Sequence, residues 1–271
     1  MITYANDEII PDLKNIWHKC LGDDDNYMDM FFGGRYRLGK CLVYFKGSTP
    51  AGMLIMYNGN IFMPNTKKSA CYIYGVATHP DYQKQGISTK LLQKAIEIAD
   101  ENNQTATLAP ATADLINFYS KRGFYPSFHI KQFEFKASPS KINVEILPLN
   151  SAEYQSMRNE YLADTAHFHW GDNIIGYAVS ENIFCGGNSV KIHYNGNDYG
   201  ILYYVSDNTL YVQECTLTDD VLTDCLNYVA QTEHCENISV RLLPTSKFGQ
   251  DRTIAMSNDI NLKAYMNILF D

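Results

Sequence analysis

The sequence lacks an apolar run long enough to cross a membrane, which takes roughly 18 residues or more. Its first ten residues, MITYANDEII, carry Asp7 and Glu8 where a secretory leader has a basic start and then an apolar stretch. These two absences predict a protein that is neither exported nor embedded in a bilayer. The expected location is the cytoplasm, with no membrane partner.

Cysteine motifs are also missing. The chain has seven cysteines, an odd number, and no two of them form a C-x-x-C pair. Neither a disulfide framework nor a zinc site is indicated. Three cysteines recur at ten-residue intervals, a spacing that matches no metal-ligand pattern, and we predict that they pack in a core: Cys215, Cys225 and Cys235. No metal is expected.

Basic residues are in the minority, with 22 Lys and Arg against 30 Asp and Glu, for a formal charge of -8. A protein that tracks the phosphates of nucleic acid needs the opposite balance, so no nucleic-acid partner is predicted. The acidic excess weakly favours a small cationic or amine-bearing partner.

What the chain does have is apolar and aromatic content typical of a folded globular protein. Apolar residues make up 45% of the sequence, which includes 20 Tyr and 13 Phe. Its 271 residues suit either one large domain or two domains of ordinary size.

Strand and helix patterns in the first half predict one α/β unit. Apolar residues alternate over 41–47 and 51–58, which predicts a hairpin. Residues 70–78, ACYIYGVAT, are typical of a central strand buried on both faces. The segment 91–103 has its apolar residues at helical spacing. After a further strand, helix and strand, the unit ends at residue 136 and a linker, ASPSK, follows.

Residues 142–271 repeat the same order of elements in a degraded form. One feature is absent, since TLYVQECTL leads into its helix through TDD with no glycine. The sequence therefore predicts tandem domains, 1–136 and 142–271, of class α/β (α+β), with mixed, mostly antiparallel sheets and flanking helices. The segment HFHW at 167–170 is read as a loop and, with no third ligand nearby, not as a metal site.

Residues 79–92, HPDYQKQGISTKLL, place a glycine directly before the amphipathic helix. A helix N-terminus offers unpaired amides and the positive end of the helix dipole, and Gly86 lets the backbone approach an anion. In the simpler alternative, Gly86 only makes a turn, Ser88 only caps the helix, and His79 is a solvated turn residue. The segment is neither a Walker loop nor a dinucleotide fingerprint.

Two motifs resemble those of the GCN5-related N-acetyltransferases, the GNAT family. In YGVATHPDYQKQGISTKLL, Gln83 and Gly86 match Q/R-x-x-G-x-G/A, with Ser88 where Gly or Ala is usual. In LINFYSKRGFY, Tyr119 and Gly123 match Y-x-x-x-G-F, while Thr112 stands where Asn is often found. The whole chain resembles the tandem branch related to the enhanced-intracellular-survival enzymes, without their sterol-carrier-like third domain.

The resemblance implies that acetyl-CoA is the co-substrate. Its pyrophosphate is expected on the loop and first helical turn, and its pantetheine arm along the end of the preceding strand, where the amide of Val76 also faces the thioester oxygen. The implied cofactor-binding residues are Val76, Ala77, Thr78, Gln83, Lys84, Gln85, Gly86, Ile87, Ser88 and Thr89.

The resemblance also implies direct transfer of the acetyl group to a primary amine on a small molecule or peptide. Tyr119 is expected to protonate the departing thiolate, and Asp271, through the terminal carboxylate of the tail, to act as the base. Asp24 and Asp25 are expected to border the acceptor pocket.

The alternative left open is a non-catalytic protein that binds or senses acyl-CoA. The identity of the amine and a homo-oligomeric state are also left open.

Overall fold

The computed structural model describes residues 1–268, so the predicted base Asp271 lies outside the described residues. The chain forms two compact units. The first contains Met1–Ile61, Lys67–Ser127 and Ala255–Leu262. The second contains Phe62–Thr66, Phe128–Ile254 and the residues from Lys263 onward. The predicted roles of the two domains, 1–136 as the catalytic copy and 142–271 as the degenerate one, stay predictions.

The elements up to residue 136 alternate as the sequence pattern predicts. They are β1 (Ile2–Tyr4), α1 (Ile10–Leu21), α2 (Asp25–Gly33), β2 (Lys40–Lys46), β3 (Thr49–Met63), β4 (Thr66–Thr78), α3 (Ile87–Glu101), β5 (Thr105–Leu108), α4 (Ala113–Ser120) and β6 (Tyr125–Lys136).

The remaining elements follow the linker. They are β7 (Ile146–Pro148), α5 (Ser151–Tyr161), β8 (His167–His169), α6 (Asp172–Phe184), β9 (Asn188–Tyr194), β10 (Asn197–Ser206), β11 (Thr209–Cys215), α7 (Leu222–Thr232), β12 (Asn237–Leu242), β13 (Gln250–Ser257) and β14 (Ala264–Tyr265).

In the first unit the strand order is β1-β2-β3-β4-β5, followed by the last residues of β13. β4 and β5 run parallel, whereas β1, β2 and β3 pair antiparallel and β13 pairs antiparallel with β5. In the second unit the order is β7-β9-β10-β11-β12-β6, in which β11 and β12 run parallel. In the same unit β14 pairs parallel with both β6 and β8. The mixed, mostly antiparallel sheets and flanking helices confirm the predicted fold class.

Local sequence explains where the elements begin and end. α1 begins with Pro11 and ends at Gly22, whose φ of 83° is easy for glycine. The β9–β10 turn is Asn195-Gly196, and both residues have positive φ, as a tight hairpin turn requires. α5 begins with a capping box between Asn150 and Glu153.

Each unit has its own apolar core. In the first, α3 buries Leu91, Leu92 and Ala95 against strands β2 to β5. In the second, α7 packs on β9 to β12. Cys215, Cys225 and Cys235 all lie in this second core with at most 7% exposure, which confirms that they are packing residues.

Two sequence-based expectations about the second half are wrong. The HFHW segment is not a loop, because its first three residues form β8, which pairs with β14. The late strands β13 and β14 were not expected from the pattern. Separately, none of the helices within residues 1–268 combines the length and the apolar character needed to cross a bilayer.

A buried charged cluster lies inside the second unit. Glu214 on β11 accepts hydrogen bonds from Arg158 Nε at 2.8 Å, Tyr154 Oη at 2.6 Å and Tyr265 Oη at 2.8 Å. Arg158 is 1% exposed and Glu214 is 2% exposed. Because these charges are removed from water, each depends on the other for compensation.

We predict that Glu214→Gln destabilises the protein by about 3–5 kcal/mol, because it leaves the Arg158 charge buried without a counter-ion. Urea unfolding followed by circular dichroism measures the loss. The double variant Arg158→Met/Glu214→Gln removes both charges and should recover most of it. A single variant as stable as the wild type would show that the ion pair contributes nothing.

Candidate active site

The site begins where β4 loses its parallel partner. β4 pairs with β5 from Ala70↔Thr105 to Ile73↔Leu108, the last residue of β5, but β4 itself continues to Thr78. Within the described residues, β4 beyond Ile73 therefore has no pairing with β5. Three of the predicted cofactor-binding residues lie there: Val76, Ala77 and Thr78.

Gly75 changes the backbone direction at this point. Its φ is 59°, a left-handed conformation inside a strand, and a Cβ at this position would lie 2.8 Å from the Trp17 ring. Only glycine meets both conditions without strain. A glycine inside a strand pattern signals such an irregularity, so Gly75 was detectable in the sequence.

Side chains hold the end of β4 in place. The carbonyl of Thr78 accepts hydrogen bonds from Cys20 Sγ at 3.2 Å and Gln83 Nε2 at 3.3 Å. His79 is 8% exposed, and its Nε2 accepts from Lys19 Nζ at 2.9 Å. The expectation that His79 is a solvated turn residue is wrong, because Lys19 covers its ring. Gln83, predicted to bind the cofactor, braces the loop with its side chain.

The loop before α3 has the geometry of an anion site. Lys84 and Gly86 have left-handed φ values of 60° and 74°. A Cβ at Gly86 would meet nothing within 4 Å. Gly86 is the N-cap of α3, and the helical bonding begins with Lys90 N to Gly86 O at 3.1 Å. Ser88 lies inside the first turn, so the alternative in which it caps the helix is wrong.

Three amides of α3 precede this first helical bond, those of Ile87, Ser88 and Thr89. Within the described chain, α3 has no side-chain cap and no acidic residue in its first turn. Carboxylates are common at this position in other helices because they neutralise the positive end of the dipole. The N-terminus of α3 therefore keeps its full attraction for an external anion.

Two cations border this helix end. Arg122 donates from Nε and Nη2 to Thr89 Oγ1 at 3.0 and 2.7 Å, and its guanidinium lies 3.4 Å from the Phe118 ring centroid. Burial lowers the pKa of Arg122, but a guanidinium stays charged at neutral pH. Lys46 donates to Gln85 Oε1 at 2.8 Å. Sequence reasoning missed both residues, since Lys46 lies outside the motifs and Arg122 stands at an unspecified position of Y-x-x-x-G-F.

The Y-x-x-x-G-F motif has a structural reason. Gly123, with φ of 84°, ends α4 and turns the chain so that Phe124 N bonds back to Tyr119 O at 3.3 Å. Phe124 then packs edge-on against Tyr119, with ring centroids 6.1 Å apart. Tyr119 is 6% exposed and lies in the same apolar cluster as Ile73 and Ile87.

Burial raises the pKa of the Tyr119 phenol to about 12, and the nearby Arg122 charge opposes this only in part. The phenol is thus a neutral hydrogen-bond donor at all physiological pH values. Val76 packs against the same apolar cluster, so the structure brings together Val76, the start of α3 and Tyr119.

Two of the three acidic residues at 23–25 accept structural hydrogen bonds. Asp24 caps α2 by accepting from Tyr27 N at 2.9 Å, and Asp25 is exposed in the first turn of that helix. Asp23 accepts from Trp17 Nε1 at 2.7 Å. The structure thus gives Asp24 a capping role and leaves the acceptor-pocket role of Asp24 and Asp25 as a prediction. Among residues 1–268, no group of three or more metal-ligating side chains is present.

Comparison with known proteins agrees with this geometry. The family model described as an acetyltransferase (GNAT) domain matches residues 1–127. No curated protein matches the chain significantly in sequence.

Solved structures share the fold over nearly the whole chain. A GCN5-related N-acetyltransferase from Anabaena variabilis has a TM-score of 0.76 at 15% identity, with 95% of this chain and 72% of that one covered. One from Kribbella flavida has a TM-score of 0.71 at 14% identity, covering 95% and 70%. Eis1 from Mycobacterium abscessus has a TM-score of 0.68 at 12% identity, covering 96% and 74%.

Residues 1–127 match the acetyltransferase (GNAT) domain, and this match supports an acyltransferase. It also confirms the resemblance to the GCN5-related N-acetyltransferases seen in the motifs.

We predict that Gly75→Ala destabilises the protein by about 1–3 kcal/mol more than Gly86→Ala does. Both substitutions force alanine into a left-handed conformation, but only the methyl group at position 75 meets the Trp17 ring. Urea unfolding of the two variants gives the comparison. Equal losses would show that Trp17 moves aside freely and that the contact does not fix β4.

Proposed function

We propose that this protein is an N-acetyltransferase that moves the acetyl group of acetyl-CoA to a primary amine. The observation that carries the proposal is the position of the open, left-handed Gly86 loop at the end of β4. The loop offers amides to a pyrophosphate, and the unpaired edge of β4 offers amides and carbonyls to the amide-rich pantetheine arm.

Backbone groups carry the recognition of the donor. The amides of Ile87, Ser88 and Thr89 converge on the place for the phosphates, and Arg122 and Lys46 add positive charge nearby. Val76, the first residue after the irregular Gly75, is the residue whose amide we assign to the thioester oxygen. A donor aimed at the charge that develops on this oxygen stabilises the transition state.

The transfer itself requires an uncharged amine. A lysine-like amine has a pKa of about 10.4, so it must lose a proton before its lone pair attacks the acetyl carbon. As the new C–N bond forms, the C–S bond breaks and the electron pair leaves on sulfur. The proton lost before the attack and the second proton lost as the amide forms both pass to solvent water, so the products are the amide and the CoA thiolate.

The Tyr119 hydroxyl is the donor that we assign to this sulfur. With a pKa of about 12, the phenol is a much weaker acid than a thiol, whose ordinary pKa is about 8.5. Tyr119 therefore stabilises the departing thiolate by hydrogen bonding, and complete transfer of its proton is unfavourable. This refines the role expected from the motif.

The first prediction concerns donor binding. Gly86→Asp places a carboxylate beside the α3 amides and should raise the Kd of acetyl-CoA by about 30- to 1000-fold, equivalent to about 2–4 kcal/mol of repulsion and lost contacts. Calorimetry on both proteins measures the change. Gly196→Asp is the matched control, because Gly196 also has positive φ and open space around it. Unchanged binding in Gly86→Asp would reject the loop as the donor site.

The second prediction concerns chemistry. Tyr119→Phe should lower kcat roughly 10- to 1000-fold with little change in the Kd of acetyl-CoA. Because the pKa of Tyr119 is about 12, its phenol stays protonated below about pH 10. The ratio of wild-type to variant kcat should therefore be constant between about pH 6 and pH 10. A ratio that falls over this range would mean that Tyr119 ionises within it.

A panel of amines, with release of free CoA as the readout, separates the enzyme from the acyl-CoA-binding alternative. The acyl-CoA-binding alternative would be favoured if acetyl-CoA binds but no amine in the panel is acetylated. It would also be favoured if the acetyl-CoA is only hydrolysed.

A further inference from the structure

A segment from the last part of the chain belongs to the first unit. Ala255–Leu262 is grouped with residues 1–61 and 67–127, although it is more than a hundred residues away in sequence. The end of β13 pairs antiparallel with β5 through Met256↔Leu108 and Ser257↔Thr107. The GNAT match stops at residue 127, so the family motifs give this segment no role.

Asn258 continues this pairing with its side chain. Its backbone N donates to Ala106 O at 3.0 Å, and its Oδ1 accepts from Ala106 N at 2.9 Å. One asparagine therefore satisfies both backbone groups of Ala106. On the opposite side of β5, Ala106 is in register with Cys71 of β4.

Further contacts hold the segment against the first unit. The Oγ atoms of Ser257 and Ser127 are 2.7 Å apart, and both serines are fully buried. Asp259 forms an ion pair with Lys68 of β4 at 2.8 Å. These contacts are specific polar ones, so the segment has one defined position on the unit.

The apolar side of the segment joins the core cluster that contains Tyr119. Met256 has no exposed surface and lies in the same cluster as Leu108, Tyr119 and Phe124. The segment thus contacts both β5, whose end at Leu108 opens the edge of β4, and the packing around the proposed thiolate donor.

We propose that Ala255–Leu262 positions the strands of the acyl-CoA site, with Asn258 as the positioning residue. β5 pairs with β4 through four residues only, and Asn258 fixes β5 from its other side. When β5 shifts, the open edge of β4 and the helix that carries Tyr119 shift with it. This inference rests on the proposed acetyltransferase function, because its effect is felt through Tyr119 and the acyl arm.

The test uses full-length variants. Asn258→Leu removes the acceptor for Ala106 N–H, whereas Asn258→Asp keeps an oxygen at the same place. Asn173→Leu makes the same chemical change at an exposed position of α6, outside the segment, and serves as the control. The readouts are kcat with the best amine at saturating acetyl-CoA, the Kd of acetyl-CoA, the melting temperature, and hydrogen exchange of the β5 amides.

We expect Asn258→Leu to lower kcat about 10- to 100-fold, as small misplacements of reacting groups do, while the protein stays folded at the assay temperature. The Ala106 amide should lose its exchange protection. Asn258→Asp and Asn173→Leu should keep kcat within about threefold of the wild type. Rescue by aspartate distinguishes positioning of β5 from a general loss of stability, which both substitutions would cause.

Three results would overturn the inference. The first is a folded Asn258→Leu with wild-type kcat and Kd, and the second is an Asn258→Asp as impaired as Asn258→Leu. If Asn258→Leu does not fold, Ser257→Ala replaces it, because it loosens the same strand by removing the Oγ that bonds to Ser127 and Asp259, and unchanged kcat in that variant is the third. A wild-type protein that binds no acetyl-CoA would instead reject the proposed function, and this inference with it.

Discussion

The site depends on the separation of β4 from β5. Up to Ile73, β4 is an ordinary central strand, and beyond it the same strand continues to Thr78 without pairing to β5. Gly75 makes this change possible because its left-handed backbone fits under the Trp17 ring. The Trp17 ring stacks on Phe31 of α2 with centroids 4.3 Å apart. The packing of α1 and α2 and the direction of β4 therefore depend on the same contact, and a change in either affects the other.

The second unit shows what the same framework becomes without that constraint. Gly75 is the sixth residue of β4 counted from its first pair with β5, and Glu214 is the sixth of β11 counted from its first pair with β12. Trp17 is the eighth residue of α1, and Arg158 is the eighth of α5. A helix-to-strand contact made by an aromatic ring over glycine is thus replaced by a buried ion pair. An ion pair needs a filled, well-ordered surrounding, whereas a ligand cleft needs space. The two units are therefore specialised at the same structural position.

How much of the fold and of the site could be predicted from the sequence depends on how far apart in the sequence the interacting residues are. The Gly86 loop, α3 and the turn at Gly123 are local features, and their residue types are dictated by backbone geometry, so the pattern identified them. Arg122 on Thr89 is 33 residues from its partner, and Asn258 is 152 residues from Ala106. No local pattern signals such pairs, because the fold alone brings them together. β13 was missed for the same reason, since its residues pair with a strand in the other half of the chain. Gly75 lies between these cases, because a glycine in a buried strand was visible but its partner Trp17 was not.

The charge distribution of the protein acts differently on the two substrates of the proposed reaction. The chain carries a net charge of -8, yet the end of α3 has amides, Arg122 and Lys46, with no acidic residue in its first turn. In the proposed reaction, this locally positive site on a negative protein suits the polyanionic end of acetyl-CoA, while the general field attracts a protonated amine to the surface. That amine must then lose its charge to react, and the buried Tyr119 environment disfavours a cation near the thioester. The long-range field therefore favours encounter with the charged amine, and the local site favours its neutral form.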